Sequence, residues 1–315
     1  MELKYMTEKE VNSLLDMKTC IGLMNDVFTA FAQGKMENKL RSVFPVDAGK
    51  VFGIMPAIIP TEDVCGAKLI TAFHTNHAKG LPSHLGIVAV FSNDDGQLQG
   101  ICDGTSITAI RTAAVSALAT DHMARKDSHT MCLIGGGVQA TMHLKAITLV
   151  RDIKKVTIWC PTLAESERFC EKHKAEYPAI EFVPCANCED AVKDADIINT
   201  VTPSSVPVLF GAWVKEGAHI NAVGACARAN RELDTECMVK SRLFCDNYDS
   251  CKNEAGDYTF PLEEGAITEA HILGDLAQVV SGKVVAREND NDITCFESQG
   301  LACEDVVCAA WLLKQ

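Results

Sequence analysis

No run of apolar residues in this sequence approaches the ~20 that cross a bilayer. The opening Met1-Glu-Leu-Lys-Tyr5 is polar and lacks the apolar core of a secretory signal. Basic residues are outnumbered: 29 Lys and Arg stand against 42 Asp and Glu, for a net charge of −13. A field of that sign repels nucleic acid and anionic membrane, so neither is expected as the main partner. Zinc-type spacing is also missing. Cys185-Ala-Asn-Cys188 is one C-x-x-C with neither a second pair nor a histidine pair to match it. Fifteen cysteines are an odd number in a long chain, which points to free thiols in a reducing cytoplasm rather than a disulfide framework. His74, His77 and His84 lie close together but lack a cysteine or carboxylate at a metal-binding spacing. They read as a polar loop beside a site, and no metal is expected.

What is present begins with Thr130-Met-Cys-Leu-Ile-Gly-Gly-Gly-Val-Gln-Ala140. Residues 130–134 have strand character, and a helical pattern starts at Val138. Gly135, Gly137 and Ala140 fit G-x-G-x-x-A between the two, which is the setting a dinucleotide fingerprint requires. Gly135 permits the tight turn, Gly137 lets backbone approach a pyrophosphate, and Ala140 lets helix pack on strand. The free N–H groups at the helix start then face the phosphates. The bland alternative is an ordinary strand-to-helix turn.

A chain of 315 residues suggests two domains. Thr7-Glu-Lys-Glu10 reads as a capping box, and Leu14, Met17, Ile21, Met24, Phe28 and Phe31 continue one helical apolar face to a stop at Gly34. Residues 51–59, 67–73, 85–91 and 97–102 are strand-like, and Asn93-Asp-Asp-Gly96 is a hairpin signal, so an antiparallel sheet is predicted. Asp103 can cap a small-residue helix running to about Arg125. After Thr130 the rhythm is strand, helix, strand, with further strands at 156–159, 180–183, 196–201, 219–223 and 242–245. The expected fold is α/β: a Rossmann-type doubly wound parallel sheet with an α+β domain carrying the antiparallel sheet. The tail ends in a helix that returns to the first domain. The expected division is 1–115 with 294–315, and 116–293.

The end of the second parallel strand usually separates NAD from NADP, because an acid there takes the ribose hydroxyls. Here Trp159-Cys160-Pro161-Thr162 has no carboxylate. Nothing at the tip repels a 2′-phosphate and Thr162 can donate to one, so NADP is favoured over NAD. Arg41, Lys68 and Arg111 are cations among apolar or small neighbours. Together they would suit a carboxylate substrate; read separately they are three surface charges. Cys226 follows the fifth parallel strand, at the edge where open α/β sheets bind ligands, with Arg228 close by. A lining role suits it better than covalent chemistry. Glu254-Ala-Gly-Asp257 offers two carboxylates at a turn, for a substrate amine or for solvent.

Several long motifs now stand in order. They are Asp103-Gly-x-x-Ile-Thr-Ala-x-Arg-Thr-Ala-Ala-Val-Ser-Ala117, Gly135-Gly-Gly-Val-Gln-Ala140 and Leu209-Phe-Gly-x-Trp-Val-Lys-x-Gly-Ala-His-Ile-Asn-Ala-Val-Gly-Ala225. Arg231-Glu-Leu-Asp234, Glu254-x-Gly-Asp257 and Gly300-Leu-Ala-x-Glu-Asp305 join them. Over nearly its whole length the sequence resembles the ornithine cyclodeaminase/μ-crystallin family, nearest its ketimine reductase branch. The resemblance implies a homodimer whose first domain supplies the subunit contact and much of the substrate pocket. It implies that Arg41, Lys68 and Arg111 bind the substrate carboxylate, with Arg111 also near the cofactor and Glu254 beside the ligand. It further implies that Ser83, His84, Gly136, Val138, Gln139, Thr162, Thr202, Val223 and Ser298 line the dinucleotide, with Gly135 and Gly137 of the fingerprint.

Two departures stand out. The cyclodeaminases have aspartate where this chain has Cys226, which weighs against ring-closing deamination. The μ-crystallins have Asn-Arg where this chain has Cys160-Pro161, which leaves NADP against NAD open. The activity implied is NAD(P)H-dependent reduction of a cyclic ketimine or imino acid, with Lys68 or a water it positions as proton donor. The alternatives are an amino-acid (alanine) dehydrogenase, an ornithine cyclodeaminase, and a non-enzymatic, crystallin-like protein that binds NADP and a small ligand.

Overall fold

A computed structural model of the chain describes residues 4–315, apart from the side chains of His74 and His77. The first three residues of the polar N-terminus, and the polar-loop reading of those two histidines, lie outside the described residues. The chain divides into two compact units, Met1–Ala114 with Gly300–Gln315, and Val115–Gln299.

The first unit is framed by six strands: β1 (Tyr5–Met6), β2 (Ser42–Asp47), β3 (Lys50–Ile59), β4 (Val64–Phe73), β5 (His84–Ser92) and β6 (Leu98–Asp103). They lie side by side as β1-β6-β5-β4-β3-β2. All neighbours from β2 to β6 are antiparallel, while β1 joins β6 in parallel. A strand of two residues leaves no periodic signal, which is why the sequence does not show β1. The Asn93–Gly96 turn forms, with Gly96 at φ +72° and its N–H bonded to Ser92 O.

The single N-terminal helix expected from the apolar spacing is instead two, α1 (Glu8–Leu14) and α2 (Met17–Ala32). Leu15 leaves helical geometry (φ −90°, ψ 84°), and Asp16 restarts the chain as an N-cap, accepting from Thr19 N. The apolar repeat runs straight across the break, so periodicity alone hides it. Asp103 accepts from Ser106 N and opens α3 (Gly104–Met123), as its position predicts.

Alternation decides which side of the sheet carries chemistry. Lys68 on β4 is level with Met55 on β3 and Val88 on β5. Gly66, two residues earlier and so on the same face, is where the C-terminal helix (Ala302–Leu313) presses in. A Cβ on Gly66 would stand 3.3 Å from the Val306 side chain. That helix is almost wholly buried, covers β3, β4 and β5, and brings Glu304 and Asp305 in its first turn to the Lys68 face.

The second unit is a parallel sheet of eight strands: β7 (Thr130–Ile134), β8 (Lys155–Trp159), β9 (Glu181–Cys185), β10 (Ile197–Thr200), β11 (His219–Ala222), β12 (Ser241–Cys245), β13 (Ile272–Asp275) and β14 (Ile293–Glu297). The order is β9-β8-β7-β10-β11-β14-β12-β13. Helices α4 (Val138–Val150), α5 (Leu163–Lys174) and α6 (Cys188–Val192) connect its first strands. β14 corrects the expected division, which gives residues from 294 onward to the first domain. These residues pair with both β11 and β12, burying Ile293–Glu297 in the middle of the parallel sheet. Chain order reverses between β7 and β10, the place where open α/β sheets bind ligands. No helix among the described residues is long and apolar enough to cross a membrane.

Candidate functional site

The three cations singled out in the sequence come together in the first unit. Lys68 is 1% exposed, and its Nζ lies 2.8 Å from Asp305 Oδ2 and 3.3 Å from Thr108 Oγ1. Arg111 on α3 is also buried. Its Nε donates to Asp305 Oδ1 at 3.0 Å and its Nη1 to Glu304 Oε2 at 2.7 Å. Arg41 Nη2 donates to Gly300 O at 2.8 Å. Gly300 has a reason to be glycine: its φ is +76°, and a Cβ there would stand 2.5 Å from Arg111 Nη1. The reading as three separate surface charges does not hold for Lys68 and Arg111.

Three cations thus share one place with two carboxylates. Burial, with the Arg111 charge second, lowers Lys68 from 10.5 to about 8, although the Asp305 carboxylate pulls the other way. A lysine so placed is mainly protonated at neutral pH, yet gives up its proton far more readily than a surface lysine. Glu304, Asp305 and Thr108 received no role from the sequence. The signal for the acids was their place in the first turn of a helix otherwise apolar all round.

The residues of the second unit expected to line a dinucleotide follow the C-terminal ends of parallel strands. Gly135–Gln139 come after β7, Thr162 after β8, Thr202 after β10, Val223 after β11 and Ser298 after β14. Parallel strands put all of these at one edge of the sheet. Gly135 has φ +108°, and a Cβ on it would meet Val201 O at 3.0 Å and the Thr202 side chain at 3.1 Å. The turn therefore sits at the β7/β10 reversal. Around Gly137, which caps α4 without any side-chain bond, a Cβ would meet nothing within 4 Å. Gly136, Gly137 and Val138 are exposed, and no acid occupies the first turn of α4. A bare helix start with open space over its glycine fits a pyrophosphate. Val223 and Ser298 are nearly buried, so mainly backbone is available there.

The strand tip differs from the sequence expectation. Thr162 caps α5, and Glu165 folds back in a capping box. Both Thr162 N and Thr162 Oγ1 donate to Glu165 Oε2, at 3.2 and 2.9 Å. A carboxylate therefore does stand at the end of β8, supplied from the helix, and it engages the hydroxyl expected to receive a phosphate.

Ser83 and His84 belong to the first unit, at the start of β5, with Ser83 Oγ 2.9 Å from His84 Nδ1. Glu254 is half-buried at the end of the helix Tyr248–Glu254 in the second unit. Asp257 is neither solvated nor turned to a ligand. It is fully buried and accepts from Glu232 N and Leu233 N at 2.8 and 2.7 Å. Gly256 marks a close approach rather than a turn, since a Cβ there would lie 1.7 Å from Asn230 O. Glu232 is the acid the sequence missed. Its Oε1 accepts from Thr202 N and Oγ1 at 2.6 and 2.7 Å, and its Oε2 from Gly224 N at 2.7 Å. It ties the loops after β10 and β11 together. Cys226 is exposed, with Sγ 3.1 Å from Val223 O. Arg228, expected as its basic neighbour, is paired with Glu263 instead. Among the described residues no three His, Cys, Asp or Glu gather where they could hold a metal ion.

Comparison with known proteins agrees with this layout. The sequence profile of the ornithine cyclodeaminase/mu-crystallin family matches residues 1–315. The ketimine reductase mu-crystallin of Rattus norvegicus is 37% identical over 283 residues, 90% of this chain and 86% of that protein. The structure of Thermococcus litoralis Delta(1)-pyrroline-2-carboxylate reductase, in complex with NADH and L-proline, superposes with a TM-score of 0.95 at 34% identity, covering 98% of this chain and 96% of that one. An archaeal alanine dehydrogenase dimer with bound NAD superposes with a TM-score of 0.93 at 29% identity, covering 100% and 96%. Two units built as described, motifs running from α3 to the C-terminal helix, and a match along the whole chain lead to one assignment: the chain belongs to the ornithine cyclodeaminase/mu-crystallin family.

Proposed function

We propose that this protein is an NAD(P)H-dependent oxidoreductase that reduces cyclic ketimines or imino acids to amino acids. The observation that carries the reading is the buried ionic network of Lys68, Arg111, Glu304 and Asp305, with Arg41 held beside it by Gly300. Evolution toward stability alone favours apolar residues at such a place. An anionic substrate gives the charges a purpose. The similarity to a ketimine reductase and a pyrroline-2-carboxylate reductase supports the same substrate class.

In this reading Arg41 and Arg111 hold the substrate carboxylate, Arg by directed donors that a point charge does not offer. Lys68 holds the proton destined for the imine nitrogen, directly or through a water. With Lys68 at about 8, the proton is present at neutral pH and transferable. Gly135, Gly136, Gly137, Val138 and Gln139 hold the pyrophosphate against the start of α4, with Thr202, Val223 and Ser298 along the same sheet edge. When bound, the reduced nicotinamide supplies the hydride for the imine carbon. Glu254 is assigned beside the ligand, and Ser83 and His84 beside the cofactor, on the family resemblance.

The test is oxidation of NADH and NADPH with piperideine- or pyrroline-2-carboxylate at mildly acid to neutral pH. Turnover is expected with at least one pair, and none with any pair rejects the reading. The alanine dehydrogenase likeness favours a second reading, reductive amination of a keto acid. That reaction needs ammonia and shows itself by ammonia dependence. Cys226 in place of an aspartate weighs against ornithine cyclodeamination.

The second copy in a homodimer is proposed to cover the sheet face opposite Lys68. On that face Phe44, Phe52, Thr71 and Leu85 form one row across β2–β5, and Ile54, Leu69 and Ile87 the next. Phe44 is 50% exposed and Leu85 39%. So much open apolar surface is unusual on a monomer, and the alanine dehydrogenase relative is a dimer. Light scattering should give twice the chain mass, and F44D should lower it; a monomeric parent protein rejects the proposal. A cytoplasmic setting is proposed on the fifteen free cysteines.

A further inference from the structure

The carboxylate of Glu165 has a consequence for which dinucleotide is taken. We propose that Glu165 is the specificity-determining residue at the adenosine end of the cofactor site, selecting NADH against NADPH. The inference rests on the dinucleotide reading above and departs from the NADP preference drawn from the strand sequence.

Three observations place the charge. The β8 tip touches the glycine turn: Gly135 N donates to Trp159 O at 2.9 Å, and a Cβ on Gly136 would lie 2.7 Å from Cys160 Sγ. The tip is anchored, because Cys160 N donates to the buried Ser166 Oγ at 3.0 Å, so α5 cannot move away from it independently. Finally, Thr162 N and Oγ1 both converge on Glu165 Oε2. Among the described residues no donor reaches Oε1, and the residue is exposed.

The chemistry of the two cofactors differs only at the adenosine 2′ position. A ribose diol offers hydroxyl donors, and a carboxylate oxygen with no partner accepts them. A 2′-phosphate offers nearly two negative charges and no donor. In this site it would face a carboxylate, and the two groups able to donate to it, Thr162 N and Oγ1, are already used by that carboxylate. The nearest cation downstream, Arg168, is three residues beyond Glu165 and so about one helical turn farther along α5. Like charges near contact in water interact by about 1 kcal/mol per pair of unit charges, so a discrimination of roughly tenfold or more is expected.

Glutamine completes a capping box as glutamate does, so E165Q removes the charge and keeps the helix start. The experiment titrates the full-length wild type and E165Q with NADH and with NADPH by calorimetry, without substrate. Circular dichroism confirms that E165Q retains the helix content of the wild type. Wild type should bind NADH at least tenfold more tightly than NADPH. E165Q should close that gap by about tenfold, and the wild-type gap should shrink at high salt. A wild type that prefers NADPH overturns the inference, and so does an unchanged ratio in E165Q while both cofactors still bind. If neither dinucleotide binds either protein, the dinucleotide reading itself falls and takes this inference with it.

Discussion

Each unit buries a cluster of carboxylates, and the two clusters solve the same problem differently. In the first unit Glu304 and Asp305 are met by Lys68 and Arg111. In the second, Glu232 and Asp257 are met by backbone N–H groups, and Glu297 by the Gln299 amide. Burial raises Glu232 from 4.5 to about 7 and raises Asp257 and Glu297 as well. Cations bring full positive charges and directed N–H donors to the place. Amides hold loops in place and leave the acids partly protonated near neutrality. The first arrangement suits binding an anion, the second suits fixing loops.

The largest effect should come from breaking the cationic cluster. K68M is expected to lower kcat/KM for imine reduction by about 10²–10⁴, the usual range for losing a positioned proton donor. Dinucleotide binding measured by calorimetry should change little. Equal losses in both would show that Lys68 acts through the fold. D305N should come next, on stability: removing one partner of a buried ion pair costs about 3–5 kcal/mol. Urea unfolding measures it, and a loss under about 1 kcal/mol would mean the pair is not buried as described.

The pH dependence sharpens the contrast, because the two clusters act with opposite sign. Lys68 titrates lower in the folded chain than unfolded, so between about 8 and 10.5 the unfolded state holds more protons. Its contribution to stability therefore rises with pH in that window. Glu232 titrates higher in the folded chain, so between about 4.5 and 7 the folded state holds more protons, and its contribution falls as pH rises. Melting temperatures of wild type, K68M and E232Q across both windows should show each slope flattened only by its own substitution. The smallest effect expected is on cofactor affinity. E232Q replaces an acceptor of three donors with a group that is itself half donor, so dinucleotide binding should weaken about tenfold by the usual worth of a charged hydrogen bond. No change there would confine Glu232 to folding.

Some of this was legible in one dimension. The glycine turn, the strand–helix rhythm after it and the capping box at Thr7 depend on neighbours within a few residues, and their patterns are local. The hairpin at Asn93–Gly96 and the cap at Asp103 belong with them. The break between α1 and α2 was not legible, because Asp16 interrupts the backbone without interrupting the apolar spacing. β14 was not legible either. It is late in sequence but central in the sheet, where its first contacts, His219–Thr294 and Ser241–Ile293, join residues 75 and 52 apart.

By itself the sequence determined the family, the class of fold and the residues that bear charge, since these reside in composition, period and ordered motifs. Only the tertiary structure decided what the charges do. It set Glu304 and Asp305 against Lys68 and Arg111 across some two hundred residues of chain. It also brought Glu232 to Thr202, 30 residues away in sequence. The physical reason is common to both: an ionisable group takes its protonation state and its partner from what is packed around it, and packing brings together residues that no sequence window contains.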